Sequence, residues 1–136
     1  MENSNRWLKI GFDGTFRYVD LPDSFHDSDN PFLEACYREL NCDSIEIVRC
    51  SPAANEVFCG GFECVLIIDE CGKLKEGFED RINNVCTLLF APGFDIIVGD
   101  ALLGMRIGAD VVPLPIRYYV GFVKAVTDFF EEWRKI

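Results

Sequence analysis

Histidine is almost missing: His26 is the one imidazole in 136 residues. Any Ser-His-Asp or Cys-His arrangement would have to run through it. It stands between Phe25 and Asp27 in the polar stretch "DSFHDSDN", the setting of a solvated loop residue rather than of a general base. Neither G-x-x-x-x-G-K-[ST] nor G-x-G-x-x-G occurs, so the standard phosphate cradles are excluded, and "GMRIGAD" has glycines and an arginine without their spacing. No two cysteines stand at C-x2-C spacing, and the closest pair is Cys59 and Cys64. A structural zinc site needs four thiolate or imidazole ligands at tighter loop spacing, so no metal and no cofactor is expected. No apolar stretch approaches the roughly 20 residues that span a bilayer. The start, "MENSNR", is polar and is followed by no signal-peptide core. The expectation is a cytoplasmic protein without a membrane partner.

Basic charge is also scarce. Thirteen Lys and Arg face 23 Asp and Glu, a formal net charge of -10. Such a field repels phosphate backbones, so no direct nucleic-acid binding is expected. It suits solubility, and it also suits imitation of a nucleic acid.

What the chain does have is a globular composition, 49% hydrophobic and 26% charged, in a length suited to one domain over residues 1–136. Seven cysteines, an odd number without a secretion signal, read as small buried apolar side chains rather than a disulfide framework. The adjacent carboxylates Asp69-Glu70, Glu79-Asp80 and Glu131-Glu132 point apart on any strand or helix, so none is a ready acid/base dyad.

The pattern of elements is that of an α+β chain. "WLKIGFDGTFRYVDLP" predicts a hairpin, with Leu8, Ile10 and Phe12 alternating, a turn at Asp13-Gly14, and Phe16 and Tyr18 on the return strand. Asn30-Pro31 predicts a capped helix start, Leu33, Cys36, Tyr37 and Leu40 its periodicity, and Asn41 its stop. "SIEIVRC" (44–50) reads as a strand, "SPAANEVFCGG" as a loop, and "FECVLIIDE" (62–70) as a central strand covered on both faces. Cys71-Gly72 permits a turn. Ile82, Val85, Cys86, Leu89 and Phe90 predict a helix capped by Asp80 and ended by "APG". Asp95 to Leu103 reads as a strand with Gly99 at a bulge. Asp100 is then an edge carboxylate bonding backbone amides, or alternatively a ligand or metal carboxylate. "RIGADVVPLP" turns the chain, and Pro115 opens a long C-terminal helix. The expected fold is a single α+β domain, an antiparallel or mixed sheet with about three helices, the last packed on the sheet.

Taken in order, "CDSIEIVR", "VLIIDECGKLKEG", a helix ending "TLLF" and "DIIVGDALLG" resemble domain-of-unknown-function family 3846, over roughly residues 7 to 130. That family is found on phages and mobile elements of Gram-positive gut bacteria. The resemblance implies genomic context and a shared fold, with Val98-Gly99-Asp100 as a bent core strand, and it carries no catalytic residues.

Three functions follow as expectations. The first is a non-enzymatic accessory protein of a phage or mobile element, acting in counter-defence by binding a small anionic, nucleotide-like ligand. The second is an acidic protein-interaction module that mimics nucleic acid towards a host protein. The third is an enzyme with an unrecognised site. The candidate ligand residues are Arg49, Arg106, Arg117 and Tyr118: an arginine beside aromatic rings can hold an anion by fork geometry and stacking, or make an ordinary salt bridge. The last helix carries two apolar stripes. One, through Tyr119, Val123 and Phe130, suffices to pack it on the sheet. The other, Tyr118, Phe122, Phe129 and Trp133, predicts a homodimer interface, unless the N-terminal hairpin covers it.

Overall fold

The computed structural model describes residues 5–23, 31–90 and 95–135. His26, the expected cap Asn30 and the "APG" stop lie outside the described residues. The chain is α+β; the described residues form a six-stranded antiparallel sheet with four α-helices. Strands β1 (Arg6–Ile10) and β2 (Phe16–Asp20) form the expected hairpin, with Gly14 at φ 88° in its turn. Helix α1 (Pro31–Leu40) follows, and Asn41 turns left-handed at φ 53° to end it. Then come β3 (Ile45–Arg49), α2 (Pro52–Phe58), β4 (Cys64–Asp69), α3 (Asn84–Leu89), β5 (Ala101–Ile107), β6 (Asp110–Val112) and α4 (Ile116–Arg134). The strand order is β2-β1-β5-β4-β3, with β6 also paired to β5.

Four departures from the sequence expectations have local causes. "SPAANEVF" is helix α2 rather than loop: Ser51 accepts Ala54 N–H at 3.0 Å and Pro52 opens the first turn. Asp80 is not a helix cap. Residues 78–81 form a 3-10 turn, and Asn83 caps α3 by accepting Cys86 N–H at 3.0 Å. The expected strand from Asp95 begins only at Ala101; before it, Val98 makes a single bridge to Ile82 and Gly99 turns at φ 88°. "RIGADVV" does not merely turn the chain. It completes β5 and forms β6 through a reversal at Gly108, φ 62°.

Alternation along the strands gives the sheet two apolar faces, and both are covered. On the first, Leu8, Ile10, Leu66 and Leu103 pack with residues of α2, α3 and α4, including Phe58, Leu89, Tyr119 and Phe122. On the second, Trp7, Val65, Ile67 and Leu102 pack with Phe32, Ala35, Cys36 and Leu40 of α1. Strand β4 is therefore buried from Cys64 to Ile68, as its two-sided apolar run predicts. Gly104 lets the second face close. A Cβ there would run into the Trp7 ring and lie 2.8 Å from the Val112 carbonyl.

Candidate functional site

The sequence-predicted arginines fall on opposite faces of the sheet. Arg49 ends β3 opposite Val65, and Val65 is opposite Gly104. Arg106, two residues beyond Gly104, returns to the same face and donates its backbone N–H to Glu63 O at 2.9 Å. Two strand spacings across and two residues along put the Cα atoms of Arg49 and Arg106 on the order of 12 Å apart. Two long side chains can close on one small group over that span. This end of the α1 face is open: Arg49 is exposed and Ile47 is 42% exposed.

Neither guanidinium makes an ion pair or side-chain hydrogen bond among the described residues. For Arg106 this is costly, because its Nε is buried with no acceptor. A buried donor without a partner costs about 1–3 kcal/mol, more when charged, and is the kind of group that a bound acceptor relieves. The Glu63 side chain pairs with neither arginine among the described residues.

Arg117 and Tyr118 stand apart from this pair, on α4 at the opposite face. The Arg117 guanidinium lies 4.8 Å from the centre of the Tyr118 ring, and that ring meets Phe62 edge-on at 4.8 Å. Tyr118 is also pressed against Gly60, whose φ of 68° and lack of Cβ admit the ring. The stacking foreseen for Arg117 thus occurs within the chain.

The interface stripe on α4 needs one correction. Phe122 is fully buried, edge-on to Phe16 of β2 at 6.2 Å, and belongs to the domain core. The core-facing line of α4 is Tyr119, Phe122 and Val126, which draws on both expected stripes. The Tyr119 hydroxyl fixes it, donating to Leu103 O at 2.6 Å and accepting Leu114 N–H at 3.1 Å. Phe129 and Trp133 remain outside, 40% and 63% exposed, with Phe129 edge-on to Phe58 of α2.

Asp100 bonds a backbone amide, as one of its two readings requires. Its Oδ1 accepts Phe12 N–H at 3.0 Å, and its Oδ2 lies 3.7 Å from Lys9 Nζ. The carboxylate therefore holds the base of the hairpin turn against the start of β5.

One further group escaped the sequence. Asn83 is fully buried and spends its whole amide: Nδ2 donates to Ile10 O at 3.1 Å and Gly99 O at 2.9 Å, while Oδ1 caps α3. Cys50, Cys59, Cys64 and Cys86 share one core cluster, and all seven cysteines are free thiols. Burial pushes the Cys36 thiol up to about 12 and raises Cys50 and Cys86 as well. Contact with Cys59 and burial raise Cys64. Among the described residues no three His, Cys, Asp or Glu side chains are placed to hold a metal ion. No helix among them is long and apolar enough to cross a membrane.

No family model and no curated protein matches this chain. Among solved structures the chain is similar to one titled "Crystal structure of small RNA methyltransferase HEN1", with a TM-score of 0.55 and 16% sequence identity. The likeness covers 90% of this chain but only 16% of that one. At that identity it speaks to the fold alone.

Proposed function

We propose that this protein is a non-enzymatic accessory protein of a phage or mobile element, cytoplasmic, that binds a small nucleotide-like anion between Arg106 and Arg49 and so acts in counter-defence. The observation that carries the binding site is the buried Nε of Arg106, a charged donor without an acceptor among the described residues, on a face that also presents Arg49, which pairs with none of them. A phosphate edge offers two oxygens to one guanidinium fork, and a small turn of the Arg106 side chain would free Nε to take one of them. The family resemblance supports the genomic role. With a net charge of -10 over the whole chain, the ligand is a compact anion held locally rather than a long nucleic acid. A melting screen against cyclic and linear nucleotides tests this. A bound anion at a hundred times its dissociation constant adds about 2.7 kcal/mol of stability, and Arg106→Ala should reduce the shift to about half or less. No shift with any nucleotide would sink the reading.

The partner expected on this account is a second copy of the chain, through the outer end of α4. Rings of Phe58, Phe129, Phe130 and Trp133 meet in series there at 5.8, 5.4 and 6.4 Å, and the last of them stands largely in solvent. Exposed aromatic clusters of this kind are what interface centres use. The alternative reading, an acidic module that mimics nucleic acid towards a host protein, would be favoured by no melting shift with any nucleotide alongside capture of a DNA-binding host protein.

A further inference from the structure

A concavity of about 360 Å³ lies at the tip of the β1–β2 hairpin and is lined by Lys9, Phe12, Asp13, Thr15, Arg17 and Asp100. Its electrostatics differ from those around Arg106. Lys9 donates to Glu39 at 3.3 Å and is 3.7 Å from Asp100, while Arg17 is 3.9 Å from Glu39. Two cations thus face Glu39, Asp100 and Asp13, so no surplus positive charge is left to draw an anion.

The hollow does offer unspent hydrogen-bonding capacity of both signs. Arg17 is beyond hydrogen-bond reach of Glu39, and its side chain is 67% exposed. Asp100 uses Oδ1 on Phe12 N–H, which among the described residues leaves Oδ2 with only the distant Lys9. Phe12 adds a ring that is 37% exposed. A neutral ligand with adjacent hydroxyls matches this set. One hydroxyl oxygen accepts from the Arg17 fork, the neighbouring O–H donates to Asp100, and the flat face of the ligand lies on Phe12. The volume falls in the range that takes a small molecule, from roughly 300 Å³ upward. We propose that this hollow binds the vicinal diol of a neutral ligand, a saccharide unit or the ribose of a nucleoside.

The proposal is independent of the anion site, and its test keeps the two apart. Saturation-transfer NMR on the full chain would use four probes at millimolar concentration: methyl glucoside, methyl galactoside, ribose and adenosine. At least one should receive saturation and shift the amide signals of Phe12 and Thr15. A response confined to adenosine would identify the nucleoside as the source of the diol, and a response to the sugars would identify the saccharide. Arg17→Ala and Phe12→Ala, both at exposed side chains, should each weaken binding about tenfold, the loss of one charge-assisted or stacking contact. Arg17→Lys, which keeps the charge but loses the fork, should fall between, and Arg106→Ala should change nothing. Silence from all four probes overturns the proposal, as does binding that both Arg17→Ala and Phe12→Ala leave intact.

Discussion

Asn83 ties three segments through one side chain: the end of β1, the turn at Gly99 and the start of α3. Asn83→Ala would strand two carbonyls and one N–H in the interior. At about 1–3 kcal/mol for each buried group left unpaired, chemical denaturation should show a loss of at least about 3 kcal/mol. Nothing in the sequence distinguishes Asn83 from its neighbour Asn84, because its partners Ile10 and Gly99 are remote in the chain. The thiols were more legible, since an odd set of cysteines without zinc-ligand spacing reads as small buried side chains. The raised values of Cys36, Cys50, Cys64 and Cys86 have a pH consequence. The unfolded chain loses thiol protons from about 9, where the folded protein still holds them, with Cys36 ionising only at about 12. The folded state then binds more protons than the unfolded one, so stability is complete below pH 9 and falls as pH rises above it. Melting under reducing conditions should show this decline, at most about 1.4 kcal/mol per pH unit for each thiol that ionises on unfolding. A flat profile between pH 8 and 10.5 would contradict it. A thiol reagent at neutral pH should find Cys42 and Cys71 first, because the other five are buried.

At the scale of elements, the legible parts are those whose pattern is local. The β1–β2 hairpin, the two-sided burial of β4 and the start of α4 after Pro115 all follow from alternation, apolar runs and turn residues. Helix α2 was illegible by periodicity, since seven residues with Ala54 and Phe58 buried make too short a stripe, although Ser51-Pro52 repeats the signal of Asn30-Pro31. The boundary of β5 was illegible for another reason. Ile96, Ile97 and Val98 are as apolar as a strand, but Gly99 at φ 88° breaks the extended path, and Asn83 N–H takes the carbonyl of Ile97 at 2.7 Å. The stripe on α4 misled because helical spacing alone cannot say which of two adjacent faces meets the sheet. Tyr119 and Phe122 do, and they came from different stripes. Gly104 gives a sharp test of the closed α1 face. Gly104→Ala should push Trp7 and β6 apart and cost about 1–3 kcal/mol, the range for overpacking. The same change at Gly121, where an added Cβ meets nothing, should be tolerated or stabilising.

For the whole molecule, the sheet sorts the surface into distinct regions. The α4 side ends in exposed rings, the open end of the α1 side carries Arg49 and Arg106, and the hairpin tip holds the neutral hollow. Of the candidate site, the sequence supplied the residue types but could not say that Arg106 and Arg49 share a face while Arg117 lies across the sheet. That grouping comes from strand register. Light scattering should give twice 15.4 kDa at micromolar concentration, and Phe129→Asp with Trp133→Asp should return a soluble monomer. Both side chains are exposed, so the fold should survive the change, whereas a wild-type mass of 15.4 kDa would refute the dimer.

The central claim is that Arg106 and Arg49 together hold a small anion, and calorimetric titration of the nucleotide that most raises the melting temperature measures it directly. A hydrogen bond to a charged group contributes about 1.5–3 kcal/mol, so Arg106→Ala and Arg49→Ala should each weaken binding by about tenfold or more. Arg117→Ala, across the sheet, should leave the affinity unchanged. Wild-type affinity in Arg106→Ala, or a loss confined to Arg117→Ala, would contradict the account.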